Sequence, residues 1–433
     1  MTKGFVVAAP ASGSGKTLVT LGLLRAFRDM GLAVGSAKIG PDYIDPRFHA
    51  AAAGRPCVNL DGWAMRRDRI LALAAGACDG AELLVVEGVM GLFDRAAEPG
   101  VEGRGGTAEV AATLGLPVVL VVDTAGSAQS VGALADGFRR RGTGVEVAGV
   151  ILNRIASARH ETLVREGCAE AEMPVLGAVP RRADIATPSR HLGLVQAEEA
   201  DDLEGLLARA GALIARHVDL DALRALARSP ERAASHAGPS PVPPLGVRIA
   251  LADDVAFRFA YPHLLDAWRS AGAEIIPFSP LADQAPDPLA DAVYLPGGYP
   301  ELQAGRLAGS QGFRDGMRDA AERGAAIYGE CGGYMTLGEG LVDADGRRHA
   351  MLGLLPLETS FAARRLHLGY RLATLDASSP LGAAGAVYRA HEFHYASVVT
   401  ERGDSLFRLE DGSACGLRRG AVFGSFLHVI DGG

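Results

Sequence analysis

The apolar run at residues 4–9 passes directly into Pro10-Ala11-Ser12-Gly13-Ser14-Gly15-Lys16-Thr17, after which Leu18, Leu21, Leu24 and Phe27 recur at roughly helical spacing. A strand, a Gly-rich turn and an apolar-faced helix in that order constrain the fold strongly. The helix packs back on the sheet, and the following strands run parallel to the first. Runs at 33–38, 83–87, 117–123, 147–153 and 175–179 fit that scheme. Most are apolar throughout, as strands covered on both faces must be. An α/β fold follows, with an N-terminal doubly wound, mostly parallel sheet.

Length then divides the chain. At 433 residues, with 48% hydrophobic and 22% charged residues, it exceeds one ordinary core. Residues 200–228 read as amphipathic helix, and 229–245 as an exposed Pro/Ser/Ala-rich linker unable to bury apolar area. The expected organisation is a phosphate-binding unit over 1–228, that linker, and a second α/β unit over 246–433. The second opens on a strand at 247–251, followed by strands near 274–277, 292–295 and 325–328 and a β-rich tail. A formal net charge of −8 argues against nucleic acid as a partner. The apolar runs are too short to span a membrane. A strand beginning by residue 4 leaves no room for a signal peptide. Five scattered cysteines without metal-ligand spacing suit a reducing, cytoplasmic setting without zinc.

The first turn carries phosphate chemistry. Gly13 and Gly15 let the backbone N–H groups around Ser14 face phosphate oxygens at a helix N-terminus, Lys16 reaches the β/γ-phosphates, and the Thr17 hydroxyl ligates Mg²⁺. Pro10 stands where the usual pattern has its first glycine. Lys38 ends the second strand, and the loop after it holds Asp42, Tyr43 and Asp45. Asp42 and Asp45 are candidate Mg²⁺ ligands, against the alternative of an ordinary Asp/Pro turn. Glu87 ends an apolar strand as a metal-associated acid does. Asp123 ends the next and reads equally as a helix cap. Asn153 lies where such proteins often contact the base.

A second device sits near the other end. Tyr328-Gly329-Glu330-Cys331-Gly332-Gly333 follows an apolar strand, so Cys331 is expected on a strained strand-to-helix elbow with its sulfur projecting. The Gly332 N–H would form half of an oxyanion hole, and Gly298, in Pro296-Gly297-Gly298-Tyr299-Pro300-Glu301, the other half. His428 is the candidate base, with His391 and His394 as rivals. His428 lies near the chain's end, where fraying is expected.

Together these segments resemble the a,c-diamide synthase family of corrinoid biosynthesis. The resemblance rests on residues 9–17, 38–46, 87–94, 295–301 and 329–335, and on His391-Glu392-Phe393-His394-Tyr395. It implies a dethiobiotin-synthetase-like ATP domain joined to a class I, Triad-type glutamine amidotransferase domain. It also implies a carbon–nitrogen ligase that amidates the a and c carboxylates of hydrogenobyrinic or cobyrinic acid. Cys331 and His428 would release ammonia from glutamine, and ATP would phosphorylate the corrinoid carboxylate. Mg²⁺ would lie near Thr17, Asp45 and Glu87. ATP would be held by Gly13, Ser14, Gly15, Lys16, Thr17, Lys38 and Asn153, and the corrinoid acid by Asp42, Tyr43 and Asp94. A homodimer is expected for the class. Two departures stand out: Arg95 follows Asp94 where glycine is expected, and Ile430 occupies the position, two after the histidine, where full triads place an acid. Three alternatives stay open: a cobyric acid synthase, a nickel-sirohydrochlorin a,c-diamide synthase, and a non-catalytic nucleotide switch.

Overall fold

The computed structural model describes residues 2–141, 144–182, 185, 189–190, 193–194, 202–233 and 241–433. The chain forms two compact units, Met1–Ala237 and Gly238–Gly433.

The first unit is built on seven strands: β1 (Lys3–Ala8), β2 (Val34–Ile39), β3 (Cys57–Leu60), β4 (Leu83–Glu87), β5 (Val118–Asp123), β6 (Val147–Ile155) and β7 (Val175–Pro180). They lie in the order β3-β2-β4-β1-β5-β6-β7, with every neighbouring pair parallel. Phe5, Val6 and Val7 of the central strand have no solvent exposure, which explains its unbroken apolar run. Helix α1 (Lys16–Asp29) starts at the phosphate loop, and α2 (Asp45–Ala53) follows β2. The expected helical stretch at 200–228 is two helices, Leu203–His217 and Leu220–Leu226. Asp202 and Asp219 cap them by accepting from the backbone N–H of Gly205 and Ala222. A Cβ on Gly22 of α1 would lie 2.3 Å from Ile214, so the first of these helices sits directly on α1.

The sequence runs did not include β3. It is a four-residue edge strand whose Asn59 breaks the apolar pattern. Of the expected linker, 234–240 lies outside the described residues. Its two ends are packed: the Glu231 N–H donates to Leu114, and Val242 and Leu245 are buried.

The second unit holds a ten-stranded mixed sheet. Its parallel part is formed by β8 (Arg248–Ala252), β9 (Glu274–Phe278), β10 (Ala292–Leu295), β11 (Ala326–Glu330) and, far along the chain, β16 (Val422–Ser425). The antiparallel part comprises β12 (His367–Leu375), β13 (Val387–His394), β14 (Asp404–Leu409), β15 (Ala414–Arg419) and β17 (Leu427–Gly432). The sheet order is β9-β8-β10-β11-β16-β15-β14-β12-β13-β17. Rather than fraying, β17 pairs with β13, and the Ile430 carbonyl is bonded to His263 Nε2 at 2.8 Å. Among the described residues no helix is long and apolar enough to cross a membrane.

Candidate active site

The phosphate loop spans the step from β1 to α1, and its shape is braced by neighbouring segments. Gly13 and Gly15 have φ of 80° and 85°. The Asn153 amide donates to the Ser14 carbonyl at 2.9 Å, and a Cβ on Gly15 would lie 2.3 Å from that same amide nitrogen. A side chain at position 15 would meet both a left-handed backbone and Asn153. Arg154 donates to the Gly13 carbonyl at 2.9 Å and pairs with Asp123. Asn153, expected at a base, is thus placed as a brace of the loop.

Beside the loop lies a cluster of buried charge. Parallel pairing sets Lys38 of β2 directly opposite Glu87 of β4. Lys38 Nζ stands 2.5 Å from Asp45 and 2.8 Å from Glu87, while Lys16 Nζ is 3.2 Å from Glu87. Burial alone would lower the pKa of Lys38, yet the carboxylates of Asp45, Glu87 and Asp42 outweigh it and hold it above the ordinary lysine value. At Lys16 burial wins, and its pKa is lowered. Burial opposes ionisation of Glu87 too, but Lys38, Lys16 and His49 keep its pKa well below the usual carboxylate range.

His49 was not among the expected site residues. Its Nε2 lies 2.6 Å from Glu87 and its Nδ1 3.7 Å from Cys57 Sγ. Burial lowers its pKa, and Glu87 more than reverses this, raising it to about 10. A histidine in the Ala-rich α2 reads as a packing residue. Only its fold partner, 38 positions away, reveals otherwise.

The oxygen donors converge. Thr17 Oγ1 is 2.8 Å from Glu87 and 3.4 Å from Asp45. Asp45 Oδ1 is buried without a hydrogen-bond partner. An unused buried carboxylate oxygen amid hydroxyl and carboxylate oxygens fits a hard cation such as Mg²⁺. The remaining expected residues play visible structural parts. Asp42 accepts from the backbone N–H of Ile44 and Asp45, and burial and Asp45 raise its pKa to about 6. Tyr43 is buried, while Asp94 is exposed and accepts from the Gly91 N–H at 2.8 Å. Arg95 is exposed and lies 3.8 Å from Glu109.

In the second unit Cys331 directly follows β11 at φ 46° and ψ −102°, a strained conformation for a non-glycine residue, before the short helix Gly332–Leu337. Its N–H donates to the Ser425 carbonyl of β16 at 2.8 Å, which ties the elbow to the strand preceding His428. A Cβ on Gly332 would lie 2.9 Å from the Gly298 nitrogen, so the two expected oxyanion donors are close together. Burial, then Glu301, raises the Cys331 thiol pKa. Burial, then His391, lowers His428 to about 3. At neutral pH the site therefore rests as thiol and neutral imidazole.

The Cε1 edge of the His428 ring packs against Gly297, whose Cβ would stand 2.2 Å from that carbon. Gly297 belongs to the same Gly-rich turn as Gly298, and its lack of a side chain makes room for the ring. His391 lies across the strand pair from His428, and His394 stacks on Phe426 at 4.0 Å. His367, Glu392 and His394 form the one cluster of described residues with metal-ligand spacing. The two rings stack face to face at 4.5 Å, and Arg371 already compensates Glu392 at 2.6 Å. That geometry suits a charge-balanced ring stack better than a coordination sphere.

Two family models match this pair of sites. Residues 5–195 match the CobQ/CobB/MinD/ParA nucleotide binding domain, and residues 248–432 match the CobB/CobQ-like glutamine amidotransferase domain. The class is therefore that of nucleotide-binding proteins carrying a glutamine amidotransferase domain. Among curated relatives, hydrogenobyrinate a,c-diamide synthase from Brucella abortus biovar 1 (strain 9-941) is 54% identical, covering 99% of this chain and 98% of its own. The protein of the same name from Rhodobacter capsulatus is 54% identical over 99% of both chains. That from Rhizobium meliloti (strain 1021) is 53% identical with the same coverage. The chain belongs to the hydrogenobyrinate a,c-diamide synthase family.

Proposed function

We propose that this protein is a ligase that uses ATP and glutamine to amidate the a and c side-chain carboxylates of a corrinoid acid, with metal-free hydrogenobyrinic acid as substrate. The observation that carries this reading is its near-full-length identity to enzymes of that name, with both candidate sites present in the chain.

In the second unit, His428 takes the Cys331 proton as the thiolate attacks the glutamine side-chain carbonyl. The N–H groups of Gly298 and Gly332 hold the oxyanion. His428 returns the proton to the departing nitrogen, releasing ammonia, and water then cleaves the glutamyl thioester. A raised thiol pKa keeps Cys331 protonated until substrate arrives, and the low pKa of His428 leaves it free to accept the proton.

In the first unit, the phosphate loop and Lys16 grip the nucleotide while Lys38 faces the transferring phosphoryl group. The corrinoid carboxylate attacks the γ-phosphorus, giving an acyl phosphate and ADP. Ammonia then displaces phosphate to leave the amide. Thr17, Asp45 and Glu87 would hold Mg²⁺, which neutralises charge on the phosphates when bound. Asp42, Tyr43 and Asp94 remain our candidates for the corrinoid acid.

The test is product mass after incubation with ATP, Mg²⁺ and glutamine. Metal-free hydrogenobyrinic acid should gain two amides and cobyrinic acid none; amidation of neither acid overturns the assignment.

A further inference from the structure

Full triads place an acid two residues beyond the histidine, and here that position is the fully buried Ile430. A carboxylate nevertheless stands beside the ring. Glu330 Oε2 lies 3.9 Å from His428 Nδ1. It arrives from a different strand, β11, one residue before the cysteine. We propose that Glu330 is the positioning acid of the thiol site, holding the His428 imidazole in orientation and stabilising the imidazolium that forms when Cys331 gives up its proton. This rests on reading Cys331 and His428 as thiol and base.

The carboxylate is held as such a role requires. Tyr294 donates to Oε2 at 2.7 Å, and Tyr328 to Oε1 at 2.8 Å. The Val429 N–H, one residue past His428, donates to Oε1 at 3.1 Å. That last bond ties the strand carrying the histidine to the end of β11, directly before the cysteine. Both tyrosines are buried and stacked at 5.6 Å, so the hydroxyls have little freedom. Among the described residues, the only side chain within ion-pair distance that can carry positive charge is His428. A buried acid with three neutral donors and no standing cation is costly in a core. It becomes favourable when a cation appears beside it. Burial raises its pKa to about 7, against the pull of Tyr294, Val429 and Tyr328.

The proton inventory closes. The thiol proton moves to His428 Nε2 while Nδ1 keeps its hydrogen, directed at Oε2. Acting from its ionised form, Glu330 takes up no proton in the step, and the Nε2 proton leaves on ammonia. The 3.9 Å gap closes by a small ring rotation, as catalytic hydrogen bonds tighten when substrate binds. The His428 ring is also hydrogen-bonded to the Phe259 backbone, and among the described residues His391 and His394 from β13 act on its charge; none of these is an acid.

The test uses the full chain carrying Glu330→Gln, which keeps the side-chain shape and an acceptor oxygen. The expected kcat with glutamine falls about 100-fold while KM for glutamine stays within about twofold. Ammonia-dependent amidation stays at the wild-type rate, and the acid limb of Cys331 alkylation by iodoacetamide shifts in pH. Glu330→Asp should recover part of the loss. A wild-type kcat and alkylation profile for Glu330→Gln overturns the proposal, as does an equal fall in ammonia-dependent rate, which marks a structural role. Should that variant not fold, Tyr294→Phe leaves the carboxylate in place but frees Oε2, and an unmoved alkylation limb there overturns it equally. Glutamine-dependent turnover surviving in Cys331→Ala brings down the underlying reading as well. A wild-type Glu330→Gln rate in an enzyme that Cys331→Ala inactivates brings down only the role of Glu330.

Discussion

The loop after β1 and the elbow after β11 share one architecture, a parallel strand running into a tight turn and a helix, yet their electrostatics are opposite. Around the first, the buried Lys38, His49, Asp45 and Glu87 and the half-buried Lys16 form a chain of ion pairs centred on Glu87 and Lys38. Around the second, the thiol, the imidazole and the acid are each pushed by burial toward their neutral forms. The difference follows the ligand. A site for polyphosphate must hold charge before binding, because its partner arrives charged. A site for a neutral amide keeps its nucleophile and base uncharged until the attacking step, because an isolated buried ion is expensive.

The largest effect that would break this comparison is on Cys331→Ala. Glutamine-dependent amidation should fall by about 10⁴-fold or more, while ammonia-dependent amidation, served by the first unit, remains; loss of both in steady-state assays would show that the sites do not divide the labour. Next comes Lys38→Met. It strands Asp45 and Glu87 with less compensation and should cost the first unit about 3 kcal/mol in denaturant unfolding. An unchanged midpoint would mean the cluster carries no structural charge.

Gly297→Ala tests the neutral site by shape. Its methyl would displace the His428 ring, lowering glutamine-dependent kcat about 100-fold with the ammonia rate retained; unaltered kinetics would place the base elsewhere. The smallest effects are in pH dependence, where the two sites should separate. His49 has its folded pKa raised by Glu87, so its contribution is complete below its ordinary 6.5 and is lost as pH climbs through about 10. Glu330 is raised by burial, so the second unit should lose stability earlier, between its ordinary 4.5 and about 7. Melting curves against pH should show the later slope flattened in His49→Gln and the earlier one in Glu330→Gln. The same slopes in both variants would end the distinction.

Much of this was legible in the chain because strand ends and glycines are local signals. Six of the seven strands in the first sheet announce themselves as apolar runs; β3, short and interrupted by Asn59, does not. Lys16, Thr17, Lys38 and Glu87 could be placed because each follows or ends an apolar run. His49 and Glu330 could not be assigned, since their partners come from other strands or helices and only the sheet register brings them together. Glu330 stands next to the cysteine in sequence, yet its closeness to His428 depends on β16 lying beside β11, a pairing between segments almost a hundred residues apart.

The brace on the phosphate loop has a thermodynamic consequence. Asn153 and Arg154 hold the Ser14 and Gly13 carbonyls from the end of β6, so the turn takes its shape when the sheet assembles. A nucleotide then meets a preformed cradle, and the entropy of ordering that turn is charged to folding rather than to binding. Affinity should therefore hold nearly steady on warming and vanish together with the sheet.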